Sequence, residues 1–119
     1  MNQITLLIIY LVVANVFAWF QIQGQFLEGK LGQWLNNDII VVLFGIPIGW
    51  LLWKAASLSY LIFGGVWNIR MIGFGLGTVI FGIMTWLILN EIPAWHTIIS
   101  IILAIAIILL QFSNLNIKV

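Results

Sequence analysis

Between Arg70 and Glu91 the chain runs for 20 residues without a formal charge. At 1.5 Å per residue, a helix of that length crosses the roughly 30 Å hydrocarbon core of a bilayer. The stretch is also studded with small residues: Gly73, Gly75, Gly77, Thr78, Gly82 and Thr85. Helices in lipid associate without a hydrophobic driving force, so they use small side chains to let backbones approach. The stretch therefore reads as a membrane helix with close neighbours, and the rest of the chain has to supply them.

The composition agrees. The chain has 119 residues, one domain by length, of which 64% are hydrophobic and 6% charged, against roughly 25% charged in soluble domains. Its net charge of +1 includes no basic run that could neutralise a series of phosphates, which excludes nucleic acid as a partner. Cysteine is absent, which removes disulfides, thiolate metal sites and cysteine nucleophiles together.

Read in order, the pattern predicts an all-α integral membrane protein in a single domain. Four transmembrane helices are expected over about 4–22, 39–54, 68–89 and 93–112, with a short amphipathic interfacial helix between spans 1 and 2. The first apolar run has no basic region before it and no small-x-small site after it, so it reads as a retained span and not a cleaved leader. Within it, Asn15 is an amide at hydrocarbon depth. Two readings are open: an interhelical hydrogen bond, or the lining of a solute path.

Phe26, Leu27, Leu31, Trp34 and Leu35 alternate with Glu28, Lys30, Gln33 and Asn36 at approximately helical spacing, which is the interfacial element. Asp38 is placed to cap the second span, and Lys54 to close it. Inside that span Gly45 and Gly49 flank Pro47, so two packing positions surround an expected kink. Ala55 to Trp67 reads as a connection, and the third helix starts either near Asn68 or as early as Tyr60. The first start makes Arg70 an interfacial anchor; the second draws its guanidinium inward as a substrate contact.

On a 3.6-residue helix, Gly75, Thr78, Gly82 and Thr85 share one face with Asn68, while Gly73 and Gly77 lie opposite, in line with Arg70. Two small faces imply two close neighbours. The glycine run has no preceding strand and no phosphate-binding lysine, so it is not a nucleotide loop. Pro93 is expected in the first turn of the fourth span. With four spans, Lys54, Arg70 and Lys118 share a side with the N-terminus, and Glu28, Asp38 and Glu91 take the other side with Lys30. The positive-inside rule then makes both termini cytoplasmic.

Chemistry-bearing residues are few. His96 and Ser100 stand one turn apart, but no orienting group or oxyanion site accompanies them, so no enzyme is expected. No metal site and no cofactor are expected either: His96 with Glu91 is one pair and not a ligand set. His96 beside Trp95 reads as an interfacial anchor, with a haem or pigment ligand as the alternative.

Arg70, then Phe81, then Glu91 ahead of an apolar last span resembles the second half of small four-span proteins of the drug/metabolite transporter superfamily, in a branch without an assigned function. Ala14-Asn15-Val16-Phe17-Ala18-Trp19-Phe20 is similar to that branch's first span, with shorter spacing. The related small multidrug resistance antiporters carry a titrating glutamate where this chain is most similar at Asn15. An amide does not titrate in that range, so their proton-coupled mechanism is not implied. What the resemblance implies is an oligomeric carrier of a small neutral or weakly polar solute, with Asn15, Gly75, Thr78, Gly82 and Thr85 along the path and Arg70 a candidate contact. The alternative is a non-catalytic subunit packing its small faces against other membrane proteins.

Overall fold

The computed structural model describes residues 2–113, so Lys118 and its place in the charge pattern lie outside the described residues. Every regular element is helical: α1 (Gln3–Gln23), a 3₁₀ turn (Gly24–Phe26), α2 (Gly29–Leu35), α3 (Asp38–Phe63), α4 (Trp67–Leu89) and α5 (Trp95–Ser113). α1, α3, α4 and α5 are each long and apolar enough to cross a membrane.

The helix boundaries follow from capping chemistry, and three differ from expectation. Asp38 is not the cap of α3: the side chain of Asn37 accepts from the backbone N–H of Ile39 at 2.9 Å and of Ile40 at 3.4 Å, and Asp38 becomes the first helical residue. Lys54 does not end that helix, which continues nine residues further, about 13 Å along its axis. Of the stretch Ala55 to Trp67 read as a connection, residues 55–63 contain no breaker and stay in the helix. The stop comes at Gly64, whose φ of 81° is the left-handed conformation that glycine adopts without strain, and whose N–H donates to the Tyr60 carbonyl at 2.8 Å. Residues 60–63 therefore finish α3, and α4 begins at Trp67. Pro93 lies two residues ahead of α5 rather than in its first turn.

α3 stays helical through Pro47. Beside it, the Gln21 amide of α1 donates to the Val41 carbonyl at 2.9 Å. α2 is shorter than the 26–37 pattern. It folds back because Gly32 has no side chain: a Cβ there would overlap the carbonyl oxygen of Leu27.

α1 lies at the centre, packed most extensively on α3 and also on α4, while α5 packs along the far flank of α4. Contacts at the helix ends give the relative directions. Trp19 with Thr85 and Gln21 with Val41 join the C-terminal ends of α1 and α4 to the start of α3. Asn68 with Gln111, 2.8 Å apart, and the Phe63–Phe112 ring contact join the opposite ends of α3, α4 and α5. Glu28, Asp38 and Glu91 thus collect at one end of the bundle, and Arg70 stands at the other. The buried core, Leu7, Leu11, Ala55 and Ile72, fills the Arg70 half between α1, α3 and α4.

Candidate functional site

α3 and α4 both pack on α1 but touch one another little. Two helices braced on a third and splayed from each other leave a groove, and here it is a cleft of about 650 Å³ floored by Leu11 and Asn15 of α1. Leu52 of α3 forms one wall, and Val66, Trp67, Ile69, Arg70, Gly73 and Phe74 form the other. Apart from Asn15 and Arg70 these walls are apolar.

α4 starts at Trp67, near Asn68 and not as early as Tyr60. The place of Arg70 in the first turn is that of an end-of-span anchor, and Arg70 also stands on the rim of the cleft. A place at the start of the helix and a place on the cleft are thus compatible, because the first turn of α4 borders the groove.

Asn15 sits deeper. Its Nδ2 donates to the Leu11 carbonyl one turn back at 2.8 Å, which orients the amide and directs Oδ1 at α4. There Gly77 makes room: a Cβ on Gly77 would stand 3.0 Å from Asn15 Oδ1. Gly77 is thus a packing position of α4 against α1. Gly73, expected to pack in the same way, has nothing within 4 Å of a hypothetical Cβ and instead widens the cleft.

The opposite small face of α4 meets α5. A Cβ on Gly75 would lie 2.5 Å from Ile108 Cγ1 and 2.9 Å from the Ala104 carbonyl oxygen, and one on Gly82 would lie 2.8 Å from Ile101 Cδ1. Gly75 is buried under that contact, so it packs helices and does not line a path. Thr78, Gly82 and Thr85 border a second, smaller pocket of about 300 Å³ near the Glu91–Ala94 link. The proposed path residues therefore divide between two cavities: Asn15 and Arg70 in the larger, Thr78, Gly82 and Thr85 in the smaller. Thr78 donates to the Phe74 carbonyl at 2.9 Å, as helix threonines commonly do.

On α3, a Cβ on Gly45 would stand 3.6 Å from the Gln21 amide of α1, an ordinary contact, whereas one on Gly49 would have nothing within 4 Å. The Ser100 hydroxyl donates to the His96 carbonyl at 3.0 Å, not to the imidazole, and both residues are exposed. Among the described residues no three His, Asp or Glu side chains gather as a metal site would require.

Several residues of the cleft were not marked by the sequence. Trp67 read as connection, Leu52 had nothing to single it out, and no pattern in one chain announces that two helices will splay. The Asn68–Gln111 amide pair was equally silent, although both are amides near span ends and so a pairing signal existed. Compared with known protein families, curated proteins and solved structures, the chain matches none.

Proposed function

We propose that the chain is an integral membrane carrier of drug/metabolite-transporter type that takes a small solute into the cleft bordered by Asn15 and Arg70. The observation that carries this reading is the meeting of those two polar side chains, 55 residues apart in sequence, on one apolar-walled cavity of about 650 Å³. That volume falls within the roughly 300–1,000 Å³ of ordinary ligand sites, which are likewise apolar with a few fixed polar groups. In this reading the four long helices span the bilayer and α2 lies in the interface with Phe26, Leu31 and Trp34 toward lipid, all three of which are exposed. Both termini are cytoplasmic in this reading, as supported by Lys54 and Arg70 lying toward one end of the bundle against Lys30 alone at the other.

A chain this small does not enclose a pathway alone, so the carrier acts as a homo-oligomer. Flux in liposomes tests it: a panel of small solutes under proton and sodium gradients should include at least one that enters faster than in protein-free vesicles. No flux for any of them overturns the carrier. A second reading, an accessory subunit of a larger membrane complex, is favoured by Gly49, which faces open space on α3. Purification in mild detergent separates the two, because a homo-oligomer supports the carrier and stoichiometric unrelated subunits support the accessory role.

A further inference from the structure

We infer that the cleft between α3 and α4 binds a single-chain amphipathic anion, its acidic group on the Arg70 guanidinium and its apolar body along Leu11, Leu52 and Phe74. The inference deepens the carrier reading by naming a substrate class, and it rests on that reading for transport though not for binding.

The sign of the ligand comes from the distribution of charge. Arginine does not shed its proton in proteins and presents a planar fork of donors that suits carboxylates and phosphates. The side chains that could neutralise it, Glu28, Asp38 and Glu91, all stand at the opposite end of the bundle, where the Trp19–Thr85 and Gln21–Val41 contacts join α1 to α4 and α3. Among the described residues no carboxylate stands beside Arg70, so a cation entering the cleft meets a positive charge, and a neutral solute leaves that charge unused.

The apolar body follows from the walls. Beyond Arg70 the cleft offers aliphatic and aromatic surface until Asn15, at the level of Gly77, seven residues or about 10 Å further along α4. The volume of about 650 Å³ suits one short chain, not two acyl chains each crossing a leaflet of roughly 15 Å. At the deep end the Asn15 amide spends one N–H of Nδ2 on its own helix, which leaves its second N–H and the acceptor Oδ1 to meet a ligand. An acceptor there favours a body ending in a hydroxyl over one ending in a methyl.

The test uses the full chain in phosphatidylcholine nanodiscs and equilibrium binding of labelled decanoate, with ω-hydroxydecanoate and decyltrimethylammonium as competitors. Decanoate should bind saturably, ω-hydroxydecanoate should displace it more strongly than unlabelled decanoate does, and decyltrimethylammonium should not displace it. Arg70→Gln should weaken decanoate binding by about tenfold or more, the scale of a lost charge-assisted hydrogen bond. Arg70→Lys should keep most of the affinity, and Asn15→Leu should abolish the advantage of the hydroxyl. Helical content and elution volume identify any variant that fails to fold, and the charge-retaining Arg70→Lys keeps the test open in that event. Equal displacement by the cation, or unchanged binding in Arg70→Gln, overturns the inference. Flux that ignores Arg70 also overturns it while leaving the carrier standing, whereas Arg70-dependent binding without flux of any solute supports it and removes the carrier.

Discussion

The indole Nε1 of Trp19 donates to the Thr85 hydroxyl at 3.0 Å, with both residues closed off at 3% and 8% exposure. This bond is the polar tie between α1 and α4 at the acidic end of the bundle. Buried in this way, neither group has water to fall back on. Thr85→Val keeps the shape and removes the acceptor, so it should cost about 1–3 kcal/mol, whereas Thr85→Ser should remain close to the parent. Unfolding of the purified protein by SDS titration reads both, and a Val variant as stable as the parent would show that the tie is energetically idle.

The two small faces of α4 should respond oppositely to one added methyl. Gly75→Ala drives a Cβ against the backbone oxygen of Ala104 at 2.9 Å, and backbone cannot step aside as a flexible side chain can. It should destabilise the α4–α5 contact by about 1–3 kcal/mol. Gly73→Ala enters open space and gains the helix preference of alanine over glycine, about 1 kcal/mol at most. Thermal unfolding in one detergent should place these variants on opposite sides of the parent.

Ser59 is fully buried on α3, and its Oγ has no hydrogen-bond partner among the described residues. A hydroxyl stripped of water without a replacement bond is a net cost. Ser59→Ala should therefore be neutral or stabilising by up to about 1 kcal/mol, an unusual outcome for a buried position. A loss of stability in the same unfolding assay would mean that the hydroxyl has a partner.

Gly32 marks where α2 turns back on the preceding segment. Because a Cβ would overlap the Leu27 carbonyl, Gly32→Ala should displace α2 while leaving the long helices intact. Limited proteolysis near Lys30 should become faster with helical content unchanged. Equal proteolysis would show that the segment absorbs the methyl locally.

What could be read from one chain, and what could not, has a physical basis. The polar link Asn90-Glu91-Ile92-Pro93 was legible because a proline and charged or amide groups coincide there, and Asn90, at φ 59°, takes the left-handed conformation that asparagine tolerates. The end of α3 was misread because one charge looked like an interface. Lys54 instead lies over the Trp50 ring one turn back, 5.8 Å from its centre, and the helix passes it by. Such contacts let a lysine sit along an apolar helix without terminating it. The cap shifted by one residue because Asn37 and Asp38 are both competent and only backbone geometry chooses between them. At the cleft, Asn15 and Arg70 stood out singly by residue type. Their meeting did not, since it depends on how far α3 leans from α4, which is decided by packing on α1.

That lean has a fixed origin. Only Gly64, Gly65 and Val66 separate the two helices, and Gly64 is already committed to its turn. The pair therefore behaves like the legs of a compass joined at one point: a change in their angle moves any wall in proportion to its distance from the joint. Arg70, one turn from the joint, keeps nearly the same address whatever the angle. Leu52, 11 residues before the end of α3 and so about 17 Å away, sweeps the widest arc. Any such change of angle would leave the charged mouth of the cleft nearly where it is and alter the width of its apolar interior.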